Sequence, residues 1–148
     1  MLDCRPVTLP RPGTIKAASR LHAFVYRATR GRLGRRLAGH PVLLLTTKGR
    51  RTGRPHTTPL LYVRDGGRLV LIASFAGLPR HPDWYLNLAV DPRAEVRLDD
   101  ERFPATARDA DPSERNRLWG LAVAEYPGYA GYQERTERLI PVVVLQRD

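Results

Sequence analysis

Ten consecutive residues, Thr46-Thr47-Lys48-Gly49-Arg50-Arg51-Thr52-Gly53-Arg54-Pro55, gather four cations, three hydroxyls and two glycines between two apolar runs. Guanidinium forks match phosphate or carboxylate oxygens, and glycine lets backbone N–H groups come close to an anion. A basic β-hairpin without a ligand is the competing reading. In a second cluster, Ser74-Phe75-Ala76-Gly77 precedes His81-Pro82-Asp83-Trp84-Tyr85-Leu86-Asn87-Leu88. Small residues followed by aromatics at a strand-to-helix junction suit a flat heterocycle held by backbone amides, although on residue chemistry alone Trp84 reads better as a core anchor. Tyr126, Tyr129 and Tyr132 recur at a spacing of three, which predicts rings on roughly one helical face. They are either a row of hydroxyls beside a substrate or a packed aromatic stripe.

Other chemistries are missing. No G-x-G-x-x-G follows a strand, and the basic loop lacks the GK[ST] ending of a P-loop. His22, His40, His56 and His81 show no metal-ligand spacing, so no metal is expected. Cys4 is the only cysteine of the 148 residues, which excludes an internal disulfide and a cysteine-based zinc site and suits a reducing cytoplasm. The acidic Asp99-Asp100-Glu101 reads as a solvated turn. Charge is divided along the chain. Residues 1–64 hold 14 Lys and Arg against the single acid Asp3, a net of +13, and residues 65–148 hold 11 against 14, a net of −3. Such a basic half points to an anionic partner, although a GC-rich genome would also favour 23 arginines over 2 lysines.

The elements that must position these residues follow from periodicity. Residues 1–13, with prolines at 6, 10 and 12, read as a flexible N-terminal arm. Residues 14–38 read as a basic amphipathic helix, broken at Gly31 and Gly34. Ala18, Leu21, Phe24, Val25 and Ala28 lie on its apolar face, and Lys16, Arg20, Arg27 and Arg30 on another. The latter could touch an anionic membrane. Residues 39–148 form a single domain. Strands are expected at 42–47, 57–64 and 68–75, with the loop 48–56 and the turn Asp65-Gly66-Gly67 between them. A helix from Pro82 to about 90 comes next, with Pro82 in its first turn. A hairpin pairs 93–98 with 102–108. Asp111-Pro112-Ser113-Glu114 starts a helix reaching about 125, as cap, first-turn proline and third-position acid. A short helix near 129–138 and a strand at 140–146 complete the chain. The order β-β-β-α-β-β-α-β implies an α+β fold, a mainly antiparallel barrel of about six strands flanked by helices. It disfavours a doubly wound parallel sheet.

Several of these motifs together resemble the deazaflavin-dependent nitroreductase family. They are L-L-L-T-T-K-G-R-R-T-G-R-P at 43–55, P-L at Pro59-Leu60, A-S-x-A-G at 73–77 and H-P-D-W-Y-L-N-L at 81–88. A-R-D-A at 107–110 and the tail Y-P-G-Y-A-G-Y…R-x-I-P-V-V-V continue the series. The resemblance spans residues 33–145 and implies a split β-barrel of the flavin-reductase type. It implies an oxidoreductase that passes a hydride from the reduced 5-deazaflavin coenzyme F-420 to a quinone, a nitroaromatic or an activated alkene.

The resemblance assigns Lys48, Gly49, Arg50, Arg51, Thr52, Gly53 and Arg54 to the phosphate and oligoglutamate tail of the coenzyme. Pro59, Leu60, Ala73, Ser74, Ala76 and Gly77 would line its ring, with Trp84, Tyr85 and Asn87 buttressing the pocket. Ser74, Tyr126, Tyr129 and Tyr132 would be the catalytic hydroxyls, placed to meet charge on the acceptor. Phe75 and His56 depart from residues common in relatives at those positions. A cofactor that carries the hydride accounts for the missing acid–base signature. The alternatives are a flavin mononucleotide-dependent reductase, a deazaflavin or flavin carrier without turnover, and a basic nucleic-acid-binding barrel. The last is disfavoured, because Trp84 and Tyr85 lie outside the basic half; no nucleic-acid partner is expected.

Overall fold

The computed structural model describes residues 12–13, 15–17, 19–21, 36–37 and 39–148. Its strands are β1 (Arg36–Leu37), β2 (His40–Lys48), β3 (Pro55–Leu61), β4 (Val63–Asp65), β5 (Arg68–Ile72), β6 (Arg93–Leu98), β7 (Glu101–Asp109) and β8 (Val142–Arg147). The helices after residue 80 are α1 (Asp83–Val90), α2 (Pro112–Glu125) and α3 (Gly128–Glu134).

Every strand pairing is antiparallel, and the strands run β2-β6-β7-β8-β5-β4 across one curled sheet. β3 lies on the free side of β2, matching Val42 with Leu61 and Lys48 with Pro55. Only Tyr62 separates β3 from β4, so one bent segment pairs with β2 through its first half and with β5 through its second. That bend joins the two edges of the sheet and makes a split barrel. With β3 and β4 counted as one bent strand and the two-residue β1 set aside, six strands remain, as the sequence pattern implied.

Burial explains the two kinds of strand pattern. Along β7, Phe103, Ala105 and Ala107 are buried and their neighbours exposed, the alternation of a strand with one wet face. The apolar runs Leu69–Ile72 of β5 and Val142–Leu145 of β8 are unbroken because both of their faces are covered. Leu69, Leu71, Val143 and Leu145 point into the barrel with Leu43, Leu45, Val96 and Phe103. Val70, Ile72, Val142 and Val144 point outward beneath Leu118 and Ala122 of α2 and Tyr129 of α3. Trp84 and Leu88 belong to the interior cluster, so α1 plugs one mouth of the barrel.

Most expected boundaries hold to within two residues, but the strand expected at 68–75 ends at Ile72, before the turn at Phe75–Gly77, and the helix expected at 129–138 ends at Glu134. Three further expectations differ in kind. The expected strand 57–64 is bent into two. Pro82 caps α1 from outside its first turn, in extended backbone. Arg36–Leu37 is a strand paired with Pro41 and His40, so the basic helix does not extend to 38; Gly39, at φ 84°, makes the reversal between β1 and β2. Near the N-terminus Pro12 and Gly13 are already helical, ahead of the boundary placed at 13. Leu21, expected on the apolar face, is exposed. Lys16 pairs with Asp83 at 2.6 Å. Ala18, Phe24, Val25, Arg27, Ala28 and Arg30 lie outside the described residues. No described helix is long and apolar enough to cross a membrane.

Candidate functional site

The ladder registers bring the basic loop, the end of β5, the start of β8 and helix α1 to the same end of the barrel. The loop is a closed structure. Gly49 N–H donates to the Arg54 carbonyl and Gly53 N–H to the Gly49 carbonyl, both at 2.8 Å. Its support is Asn87 of α1, which is almost fully buried. Asn87 Oδ1 accepts from the backbone N–H and the guanidinium of Arg50, at 3.2 and 2.9 Å. Asn87 Nδ2 donates to the Thr47 hydroxyl at 3.1 Å. Arg50 also reaches Asp83 at 3.4 Å. Asp83 is held below the usual carboxylate range, first by its hydrogen bond to Lys16, then by the charge of Lys16 and by Arg50.

The four cations therefore divide into two classes. Arg50 is turned onto α1 and fixes the loop. Lys48, Arg51 and Arg54 are exposed, and none of the three makes an ion pair among the described residues. Three cations without an ion pair among the described residues, carried on a pinned loop, suit an extended polyanion. Thr52 is spent within the loop, its hydroxyl accepting from Arg54 N–H at 3.3 Å.

Beside the loop, at the end of β5, the chain does something rare. Ser74 is right-handed (φ −73°, ψ −38°), and Phe75, Ala76 and Gly77 follow with φ of 46°, 55° and 74°. Left-handed backbone costs a non-glycine residue about 1–2 kcal/mol, so Phe75 and Ala76 are held there by their surroundings. A right-handed residue followed by a left-handed one turns successive N–H groups to one side, a concavity for electronegative atoms. Gly77 is required for a further reason. A Cβ at this position would stand 2.8 Å from the Tyr132 carbonyl, so its absence lets α3 pack directly on the turn.

The turn is braced by a residue to which the sequence reading gave no role. The Arg138 guanidinium donates to the carbonyls of Ala73 (3.2 Å), Ser74 (2.6 Å) and Leu78 (2.9 Å) and to His81 Nδ1 (3.1 Å). Burial, then the charge of Arg138, push the His81 imidazole down, against the pull of Asp109, so it stays a neutral acceptor. Gln133 of α3 fixes the same segment, donating to the Arg138 carbonyl at 2.9 Å and accepting from Ile140 N–H at 3.0 Å. Arg138 was visible only as the first letter of R-x-I-P. What it contacts lies about 60 residues away in the chain.

The tyrosines come together, although not on one helix. Tyr126 ends α2, Pro127 turns the chain, and Tyr129 and Tyr132 belong to α3. Their ring centroids are 5.0–6.4 Å apart, and the Tyr126 and Tyr132 hydroxyls share a hydrogen bond of 3.0 Å. Gly128 makes this possible, because a Cβ there would stand 2.6 Å from the Tyr126 ring. Tyr129 is packed in the outer core, and burial first, then its two tyrosine neighbours, raise its phenol well above the ordinary value. Burial and the bond to Tyr126 likewise raise Tyr132.

The remaining expected residues separate. Pro59 and Leu60 are matched to Leu44 and Leu43, and their side chains lie on opposite faces of β3; Leu60 packs on the barrel interior. Ala73 is fully buried in that interior. Trp84 is buried in the same interior cluster. Tyr85 donates to Asp109 at 3.1 Å and packs on His81, its ring centroid 4.9 Å away. Ser74, Ala76 and Gly77 form the left-handed turn, and Asn87 buttresses the loop.

Comparison with known proteins agrees with this geometry. Residues 18–147 match the family model described as F420H(2)-dependent quinone reductase. A Mycobacterium tuberculosis H37Rv protein named F420H(2)-dependent quinone reductase Rv1261c is 45% identical over 132 residues, 86% of this chain and 89% of that protein. The solved structure of an F420-H2 dependent reductase, FDR-A, is 41% identical, covers 72% of this chain and 94% of that one, and superposes with a TM-score of 0.66. A chain described as a domain-swapped dimer is 35% identical, covers 90% and 99%, and gives a TM-score of 0.69. The chain belongs to the F420H(2)-dependent quinone reductase family: it is an oxidoreductase of the split-barrel type whose cofactor is the deazaflavin coenzyme F-420.

Proposed function

We propose that this chain reduces a quinone, and with it nitroaromatics and activated alkenes, using F-420 held between the basic loop and the left-handed turn. The observation that carries the reading is that Lys48, Arg51 and Arg54, which make no ion pair among the described residues, stand with a strained turn at the same barrel end. When bound, the coenzyme supplies a hydride, two electrons with one proton. The work left to the protein is binding, orientation and the handling of charge on the acceptor.

Lys48, Arg51 and Arg54 would take the phosphate and tail carboxylates, with Gly49 and Gly53 allowing the loop its tight closure. The N–H groups of Ser74 and Phe75, at the start of the turn, would meet the electronegative edge of the flat ring. The Tyr132 backbone packs on the turn at Gly77, and the Tyr126 hydroxyl is bonded to that of Tyr132. In their hydroxyl pair one O–H is consumed by the mutual bond, which leaves the other proton to donate to an acceptor oxygen as it gains charge. The reducing cytoplasm suits a chain with one cysteine.

Titration of the protein with oxidised F-420 and with flavin mononucleotide, followed by turnover of reduced F-420 with menadione, tests the reading. At least a tenfold preference for the deazaflavin, together with menadione-dependent oxidation of the reduced coenzyme, is expected. Binding without turnover would instead favour a carrier, and equal affinities a flavin enzyme.

A further inference from the structure

We propose that Arg138 is a positioning residue, which aims the amides of Ser74 and Phe75 at the coenzyme ring by holding the carbonyls of Ala73 and Ser74. The proposal rests on the placement of the ring at this turn and adds the device that keeps the turn in shape.

Among the described residues every peptide bond is trans. In a planar trans peptide the C=O of one residue and the N–H of the next point in opposite directions. Arg138 binds Ala73 O at 3.2 Å and Ser74 O at 2.6 Å, so the following N–H groups, those of Ser74 and Phe75, must point away from the guanidinium. One rigid fork thereby sets two adjacent peptide planes. Leu78 O, at 2.9 Å on the same guanidinium, ties the far end of the turn to its start. The closure bonds inside the turn, Gly77 N–H to Ser74 O at 2.9 Å and Leu78 N–H to Phe75 O at 3.1 Å, are only two. They must hold Phe75 and Ala76 in left-handed backbone, which favours relaxation once the arginine is gone.

Arginine is the side chain this task requires. A planar guanidinium offers five N–H donors in a fixed fork, whereas an ammonium offers three on a freely turning stem. Arg138 is in turn held from α3, through Gln133, one residue after Tyr132. The acceptor-side tyrosines and the ring-side turn are therefore set by a single connected group of residues.

The test uses the full chain with Arg138→Lys and Arg138→Gln. Amide hydrogen exchange at Gly77 and Leu78, in protein without coenzyme, reads the turn directly. Exchange there should quicken at least tenfold in both variants, with amides of β7 and β8 unchanged. With coenzyme, kcat for menadione should fall at least tenfold, while the salt dependence of coenzyme binding, set by the loop cations, is retained. Arg138→Lys keeps the charge and guards against a variant that fails to fold. Unchanged exchange at the turn overturns the proposal, as does an equal acceleration throughout the barrel, which would mark Arg138 as a general stabiliser. Faster exchange at the turn with undiminished kcat also overturns it. Wild-type protein that binds no coenzyme overturns the functional reading and this proposal together, and the wild-type titration tells that outcome apart from a failure of Arg138 alone.

Discussion

The backbone N–H and the guanidinium of Arg50 both donate to one oxygen, Asn87 Oδ1, at 3.2 and 2.9 Å. A residue of the basic loop is thus committed twice to helix α1. The loop presents its other cations because this one is withdrawn.

Asn87→Ala should be costly for its size. It strands the Thr47 hydroxyl and the Arg50 amide, and an unmatched buried polar group costs about 1–3 kcal/mol. The melting temperature should drop by several degrees, roughly 2–4 °C per kcal/mol at this chain length. Thermal unfolding followed by circular dichroism checks this. A Tm within about 1 °C of wild type would show that the loop is held by something else.

The loop arginines should separate by role. Arg51→Ala and Arg54→Ala should each weaken coenzyme binding about 1.4- to fivefold, the range of about 0.2–1 kcal/mol for exposed ion pairs, with little change in Tm. Added salt should shrink both effects, because exposed charges are screened over about 10 Å at 0.1 M. Arg50→Ala should lower Tm as well as affinity. Titration with F-420 and with a truncated coenzyme lacking the glutamate tail measures the difference. Indifference of binding to tail length and to Arg51 and Arg54 would leave the loop a plain basic hairpin.

Among the tyrosines, Tyr132→Phe and Tyr126→Phe should reduce kcat with menadione roughly tenfold, one hydrogen bond of about 1.4 kcal/mol in the transition state. Coenzyme affinity should hardly change. Tyr129→Phe should leave kcat near wild type, since its ring is packed in the core. Because burial and the shared hydrogen bond raise the Tyr132 phenol, it stays protonated at neutral pH, and no loss of rate from its ionisation is expected between pH 6 and 9. Equal kcat in all three variants would identify the cluster as an aromatic stripe.

Acid should weaken the fold through Glu114. Its carboxyl is drawn from 4.5 to about 2, first by Arg108, then by the Asp111 N–H and Arg68. The same carboxyl closes the capping box at the start of α2, accepting from Asp111 N–H at 3.1 Å. A carboxyl depressed in the folded state contributes stability that is complete above its unfolded pKa and is lost as pH falls toward its folded one. The Glu114 contribution should therefore be full at pH 6 and decline between about 4.5 and 2. Asp65, held below the usual carboxylate range by Arg117 and Arg68, loses its contribution at still lower pH. Glu114→Gln should lower Tm at pH 6 and flatten its fall between pH 4.5 and 2.5. A wild-type Tm with the same acid slope as the variant would remove Glu114 from the account.

The sequence by itself determined whatever depends on near neighbours. Apolar alternation located β7, and unbroken apolar runs located β5 and β8, because period and burial are properties of the local chain. Asp111, Pro112 and Glu114 announced the start of α2, since a capping box closes within four residues. The density of arginine and glycine at 48–54 marked the loop, and the tyrosine spacing marked a cluster. Tertiary structure alone decided what each of these residues does. Pro59 and Leu60 are adjacent in sequence and lie on opposite faces, which the barrel sorts into inside and outside. Arg50 and Arg54 look alike until the position of Asn87, 37 residues on, consumes one of them. Phe75 and Ala76 carry no mark of left-handed backbone, because the strain is imposed by Arg138 and by α3 packed on Gly77. Hydrogen bonds between distant side chains depend on where the barrel brings elements together, and no local pattern of residue types encodes that placement.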